Sequence, residues 1–168
     1  GIQAAAVRVE VLDDNTSRNY SDIRDLIENS PLSDRVKSTS LAIFKRLAES
    51  EARIHNCTVD HVHFHEVGGV DALVDIMGSA LGLEYLGVHN IVASPVPLGR
   101  GFVTCSHGKL PVPAPATMDI LAGVPVYGTD IPHELVTPTG AAIIRSLAQG
   151  FEPLPEMVIA RIGYGAGR

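Results

Sequence analysis

"LPVPAPATMDILAGVPVYGT", Leu110 to Thr129, decides how this chain folds. Pro111 and Pro113 make a polyproline-like lead-in, Pro115 falls near the first turn of a helix, where a missing N–H is tolerated, and Gly123 stands just past its end. "VPVYGT" then reads as a short strand, so helix and strand follow each other within one short stretch. Moving outward, "NIVASPVPLG" and "GFVTCSHG" flank Gly99, Arg100 and Gly101, which predicts a hairpin or bent strand pair. Downstream, "TPTGAAIIRSLAQG" predicts a helix with Thr137 as N-cap, Pro138 at the first helical position and Gly150 as terminator. "EMVIARIGYG" reads as a last strand. Ten of the eleven prolines fall after residue 94, so regular elements there must be short.

The first half has a different grain. Alternation in "AVRVEVL" puts Val7, Val9 and Val11 on one face of an expected strand. A helix follows, capped by Ser21 or Asn19, with Ile23, Leu26 and Ile27 as its apolar stripe and "NSP" as its stop. Ser33 caps a longer helix in which Val36, Ile43, Phe44, Leu47 and Ile54 recur at helical spacing, with Lys37, Lys45, Arg46, Glu49 and Arg53 mostly on the wet side. In "GGVDALVDIMGSALGLEYLG" the expected core stripe is Val70, Leu73, Val74, Met77, Leu81 and Tyr85. Asp71, Asp75, Gly78, Ser79 and Gly82 share another face. Strands interleave with helices, which predicts an α/β (or α+β) layered domain with a mixed sheet and packed helices.

A length of 168 residues with 45% hydrophobic residues fits a single domain, 1–168, with a sizeable core. The formal charge of −6, without a Lys/Arg block, gives no electrostatic footprint for nucleic acid or an anionic membrane surface. No apolar run spans a bilayer and no signal peptide is visible, which favours a cytoplasmic protein. Cys57 and Cys105 make no disulfide framework. A start at Gly1 and a stop in "RIGYGAGR" give the expectation of a piece of a longer protein.

Four stretches are candidates to carry chemistry. In "HVHFHEVGG", His61 to Gly69, a strand would point His61, His63 and His65 the same way, and imidazoles with Glu66 or a distant carboxylate suit nickel or zinc. The spacing lacks the His-Glu-x-x-His and Cys-x-x-Cys patterns of standard zinc sites. Asp71 and Asp75, one turn apart, repel each other unless something cationic offsets them; acidic residues also suit a helix start. In "TCSHGKLPVPAPAT", Cys105 and His107 alternate on a strand and Lys109 adds an ammonium at the turn. In "ELVTPTGAA", the N–H groups of Thr139, Gly140 and Ala141 at a helix start suit a phosphate, and also suit an ordinary cap.

Taken together, "VHFHEVGGVDALVDIMGSALGLEYLG", "ASPVPLGRGFVTCSHGKLPVPAPATMDILAGVPVY", "ELVTPTGAAII" and "IGYGAGR" closely resemble the nickel-insertion proteins that mature the nickel-pincer nucleotide cofactor of lactate racemase, the LarC family. The resemblance covers about residues 19 to 168. The family's N-terminal glycine-rich segment and histidine cluster are replaced here by "GIQAAAVRVEVLDD", and its C-terminal domain, associated with CTP binding and oligomerisation, is expected beyond Arg168. The resemblance implies a nickel chelatase, a lyase, that places Ni(II) as a substrate into pyridinium-3,5-bisthiocarboxylic acid mononucleotide, consuming CTP with Mn or Mg. It implies His63, His65 and Glu66 as metal-handling residues, with Asp71 or Asp75 as a hard ligand or orienting group. His107 and Cys105 would lie near the thiocarboxylates; Thr137, Thr139, Gly140 and Lys109 would hold the mononucleotide. His65, Glu66 or His107 would remove the ring proton. Its partners would be the nucleotide precursor and further copies of itself in a homo-oligomer, with no nucleic acid and no membrane. Two alternatives use the same residues: a metal-dependent hydrolase that activates water, and a scaffold whose histidines are structural.

Overall fold

Two caps set the first helices. The computed structural model describes residues 3–10, 18–62, 64, 69–105 and 107–166. In α1, Tyr20–Glu28, the Asp22 N–H donates to Asn19 Oδ1 at 2.9 Å while the Asn19 N–H donates to Asp22 Oδ2 at 3.0 Å. This reciprocal box satisfies two helix-start donors and selects Asn19 over Ser21 as the cap. In α2, Asp34–His55, the Val36 N–H donates to Ser33 Oγ at 3.2 Å, and the helix stops where Asn56 turns left-handed at φ 51°. Asparagine tolerates that conformation better than most residues.

The core is built around α2. Its Val36, Ile43, Phe44, Leu47 and Ala48 are buried, and it touches α1, a one-turn 3-10 helix at Val59–His61, α3 (Val70–Tyr85), α4 (Pro115–Ile120) and α5 (Pro138–Leu147). Each large apolar side chain so buried contributes about 1.5–3 kcal/mol. As the sequence predicts, Pro115 opens α4, Thr137 caps α5 and Pro138 starts it.

The strands are β1 (Val92–Ala93), β2 (Val96–Leu98), β3 (Phe102–Cys105), β4 (Gly108–Pro111), β5 (Val126–Gly128) and β6 (Gly150–Phe151). They form three two-stranded ladders among the described residues: β1 with β6 and β2 with β5, both parallel, and β3 with β4 antiparallel. The α/β class therefore holds, with parallel and antiparallel pairs distributed around the helices. Gly99 ends β2 where a Cβ would overlap the His133 carbonyl oxygen, so only glycine fits that approach. No helix among the described residues is long and apolar enough to cross a membrane.

Several expectations are corrected. The hairpin does not close over Gly99–Gly101: β2 turns away to pair with β5, and β3 folds back on β4 through a turn where Gly108 adopts φ 90°. "AVRVEVL" and "EMVIARIGYG" form no ladder among the described residues beyond one parallel bridge, Ala5 with Gly165, and Val7 and Val158 are 80% and 95% exposed. Alternation there finds no partner face to bury against. Gly150 lies in β6 rather than directly ending α5, which closes at Ala148. In α3, the core takes Ala72, Leu73, Ile76 and Ala80, leaving Val74, Leu81 and Tyr85 exposed. The small alanines let α3 lie close to its neighbours, which turns the larger residues outward.

Candidate functional site

"HVHFHEVGG" is not a strand among its described residues. His61 closes the 3-10 turn, 2.7 Å from the Thr58 hydroxyl through Nδ1, and is exposed. Val62 and Phe64 point inward and are buried, with backbone hydrogen bonds from Tyr20 N–H to Val62 O at 3.3 Å and from Phe64 N–H to Arg18 O at 3.4 Å. The expected alternation thus survives for the two apolar residues, tied to the start of α1 instead of a ladder. His63, His65 and Glu66 lie outside the described residues.

Asp71 and Asp75 are exposed on the first turns of α3. They line a cavity of about 410 Å³ whose other wall is Ala5, Val7, Val9, Gly165 and Ala166. Both carboxylates therefore face the chain's two end segments. Among the described residues no three His, Cys, Asp or Glu side chains converge as a metal cluster.

The second centre is the β3–β4 hairpin. Cys105 pairs with Gly108 across the turn that carries His107, and Thr104 pairs with Lys109. Lys109 Nζ sits 4.6 Å over the Phe102 ring, a cation–π contact on the hairpin surface. Beneath the hairpin is a cavity of about 220 Å³ lined by Val103, Cys105, Leu110, Glu134, Thr137 and Thr139, among others. It brings a half-buried thiol, a carboxylate and a hydroxyl to the start of α5. A second cavity of about 330 Å³ is lined by Pro95, Pro97, Leu135, Thr137 and Gly140 among others. Thr137 lines both cavities.

The α5 start offers fewer donors than expected. The Gly140 N–H donates to Thr137 Oγ1 at 3.1 Å and the Ala141 N–H to the Thr137 carbonyl at 2.9 Å. Pro138 has no N–H, so of Thr139, Gly140 and Ala141 two donate inside the helix start.

His107 meets a residue that the sequence reading passed over. Its ring centroid lies 5.0 Å from that of His55, the last residue of α2, with 34° between the planes. One turn earlier, Glu51 Oε2 is 3.3 Å from His55 Nε2. Spacing of four residues on one helix made the Glu51–His55 pair legible; the approach of His107 from the hairpin was not. Nearby, Arg53 grips Asp119 of α4 with Nη2 2.6 Å from Oδ2 and Nε 3.2 Å from both oxygens. Hydrogen bonds from Arg53 hold the Asp119 carboxyl below its usual range against the opposing effect of burial, with Ser50 adding a further bond. This clamp fixes the end of α2 against α4, and so fixes His55 relative to the hairpin that leads into α4.

Against this geometry, a family model described as nickel insertion protein matches residues 1–168. The chain belongs to the nickel insertion protein family. A protein of Geotalea uraniireducens (strain Rf4) named for nickel insertion is 53% identical over 167 residues, 99% of this chain and 43% of the relative. The "Pyridinium-3,5-bisthiocarboxylic acid mononucleotide nickel insertion protein" of Desulfitobacterium hafniense (strain DSM 10664 / DCB-2) is 48% identical over 167 residues, 99% of this chain and 42% of the relative. A further nickel-insertion relative, from Syntrophobacter fumaroxidans (strain MPOB), is 51% identical over 166 residues. The chain spans less than half the length of these family members. The match begins at residue 1, so "GIQAAAVRVEVLDD" belongs to the family pattern rather than departing from it. No solved structure matches the chain.

Proposed function

We propose that this chain is the part of a nickel insertion protein that takes up Ni(II) and presents it to the thiocarboxylates of pyridinium-3,5-bisthiocarboxylic acid mononucleotide. What carries the reading is the family match across residues 1–168, which includes both the histidine stretch and the hairpin cavity. His63, His65 and Glu66 handle the metal as borderline and hard donors, and Asp71 and Asp75 follow within two turns of helix to supply hard oxygen or orient the imidazoles. Cys105 and His107 stand at the hairpin where the soft sulfur end of the precursor would lie. Thr137, Thr139 and Gly140, with Lys109 supplying positive charge, take the phosphate; the Thr139 hydroxyl and N–H are the donors best placed, because Gly140 already serves the Thr137 cap. A base among His65, Glu66 and His107 removes the ring proton as the metal–carbon bond forms.

The remaining length of the family members is where CTP with Mn or Mg would act, and a homo-oligomer in the cytoplasm belongs to the same reading. The 168-residue unit is taken as one domain, because the five α-helices among the described residues pack on a single core. The test is the full-length protein supplied with Ni(II), CTP, Mn(II) and the precursor, with product followed by mass spectrometry. His63→Ala/His65→Ala should abolish nickel insertion while the thermal melt stays cooperative. Undiminished insertion would contradict the assignment, and hydrolysis of simple esters without CTP would favour the hydrolase alternative.

A further inference from the structure

Among the described residues the fold leaves a stretch of backbone without partners. The Glu152 N–H donates to the Ala93 carbonyl and the Tyr164 carbonyl accepts from the Ala5 N–H at 3.0 Å, but residues 153–163 between them make no backbone hydrogen bond among the described residues. Their side chains are uncovered as well. Leu154, Met157, Val158, Ile159, Ile162 and Tyr164 are each more than half exposed. Side chains of an extended chain alternate, so Val158, Ala160, Ile162 and Tyr164 share one wholly apolar face. Proteins protect a free strand edge with proline, charge or brevity. Here Pro153 and Pro155 stand ahead of the run, and within Met157 to Gly165 only Arg161 carries a charge. One end of the edge is already in use: Ala5 and Gly165 form a parallel bridge, the Ala166 N–H donates to the Ala5 carbonyl at 2.8 Å, and Val7 is exposed on the adjoining segment. The two segments begin a ladder that nothing among the described residues continues.

We propose that this edge is an internal docking surface, to which the remaining length of the nickel insertion protein adds a β-strand whose apolar side chains lie on Val158, Ile162 and Tyr164. The relatives supply the occupant. This chain covers 43% and 42% of two of them, so more than half of each lies outside the stretch matched here, while the family model runs through both end segments. Strand addition suits an unpaired edge, because main-chain hydrogen bonds give the affinity and alternate side chains set the register. A strand tethered to this chain meets the edge at an effective concentration of millimolar order, an advantage that a second copy lacks. The docking goes beyond the nickel-handling reading and does not rest on it. It also touches that site: Ala5, Val7 and Gly165 wall the cavity that Asp71 and Asp75 line, so the docked part borders those carboxylates.

The test is hydrogen exchange of the full-length protein read by mass spectrometry, together with a photo-cross-linking residue at position 158 in a mixture of isotopically light and heavy chains. Amides of residues 158–164 should exchange at least about 100-fold more slowly than in an unstructured peptide. The cross-link should join position 158 to a peptide outside residues 1–168 of the same chain. Val158→Lys/Ile162→Lys should return these amides to within about 10-fold of the unstructured rate while the α2 amides stay protected. The cross-link answers even if the double variant folds poorly. Unprotected amides at 158–164 in the full-length protein, protection unchanged by the two lysines, or cross-links confined to residues 1–168 overturns the proposal. Cross-links between heavy and light chains overturn it too, and name a second copy as the occupant.

Discussion

Phe64→Ala is the perturbation that most directly probes how the histidine stretch is anchored. Phe64 is 1% exposed, and its ring meets Phe44 edge-on with centroids 6.4 Å apart and 64° between planes. Truncating a buried phenylalanine costs about 3–5 kcal/mol, of which the edge-to-face contact accounts for about 0.5–1.5 kcal/mol. With a urea slope of about 2 kcal/mol/M, the unfolding midpoint should fall by roughly 2 M. Phe64→Leu keeps most of the volume and should cost about 1–1.5 kcal/mol. Because His63 and His65 flank this anchor, Ni(II) affinity in Phe64→Ala should also fall under conditions where the variant is still folded. Urea titration followed by far-UV circular dichroism gives the first number and calorimetry the second. A midpoint loss below about 0.5 M would mean that Phe64 is not a core residue, and would refute the packing on which the site rests.

Other consequences follow from single contacts. Gly99→Ala forces a Cβ against the His133 carbonyl and should destabilise by about 2–3 kcal/mol, read as a lower melting temperature; an unchanged melt would contradict the close approach. The Asp119 carboxyl is held below its usual range in the folded state, first by Arg53, so its contribution is fully present above the unfolded carboxyl value of about 3.9 and is lost as pH falls through the lower folded value. Arg53 is 57% exposed, so solvent screening keeps the pair to about 1 kcal/mol or less; Asp119→Asn should flatten the acid side of the stability profile by that amount, and an unaltered profile would speak against the clamp. The Thr117 hydroxyl is fully buried with no hydrogen-bond partner among the described residues, so Thr117→Val should leave stability unchanged or raise it by up to about 1 kcal/mol in a thermal melt, and a loss above about 1.5 kcal/mol would reveal a partner.

The elements legible in the sequence are those fixed by local chemistry. Asn19, Ser33, Thr137, Pro115 and Pro138 mark helix starts because caps and N-terminal prolines act within a few residues. Pairing was not legible, because it depends on distant partners: Val96–Leu98 chose Val126–Gly128 over the adjacent strand, and the alternating valines near residues 7 and 158 stay solvated. The rotation of α3 escaped because periodicity ranks residues by size, whereas close packing favoured Ala72 and Ala80. At the candidate site, the alternation of Cys105 and His107 ahead of Gly108 pointed to a strand and a turn, and the structure has the β3–β4 hairpin there. His55 went unseen because its meeting with His107 is made by the fold, through the Arg53–Asp119 clamp, and leaves no trace in local spacing.

The most direct test of the central claim is Ni(II) calorimetry on this chain with and without the apo-mononucleotide, comparing wild type with His63→Ala/His65→Ala. The account predicts that the mononucleotide tightens Ni(II) binding by wild type at least about 10-fold, about 1.4 kcal/mol, at one ion per chain, and that the double variant loses this gain. Equal Ni(II) affinity with and without the mononucleotide, or an equal gain in the double variant, would contradict it.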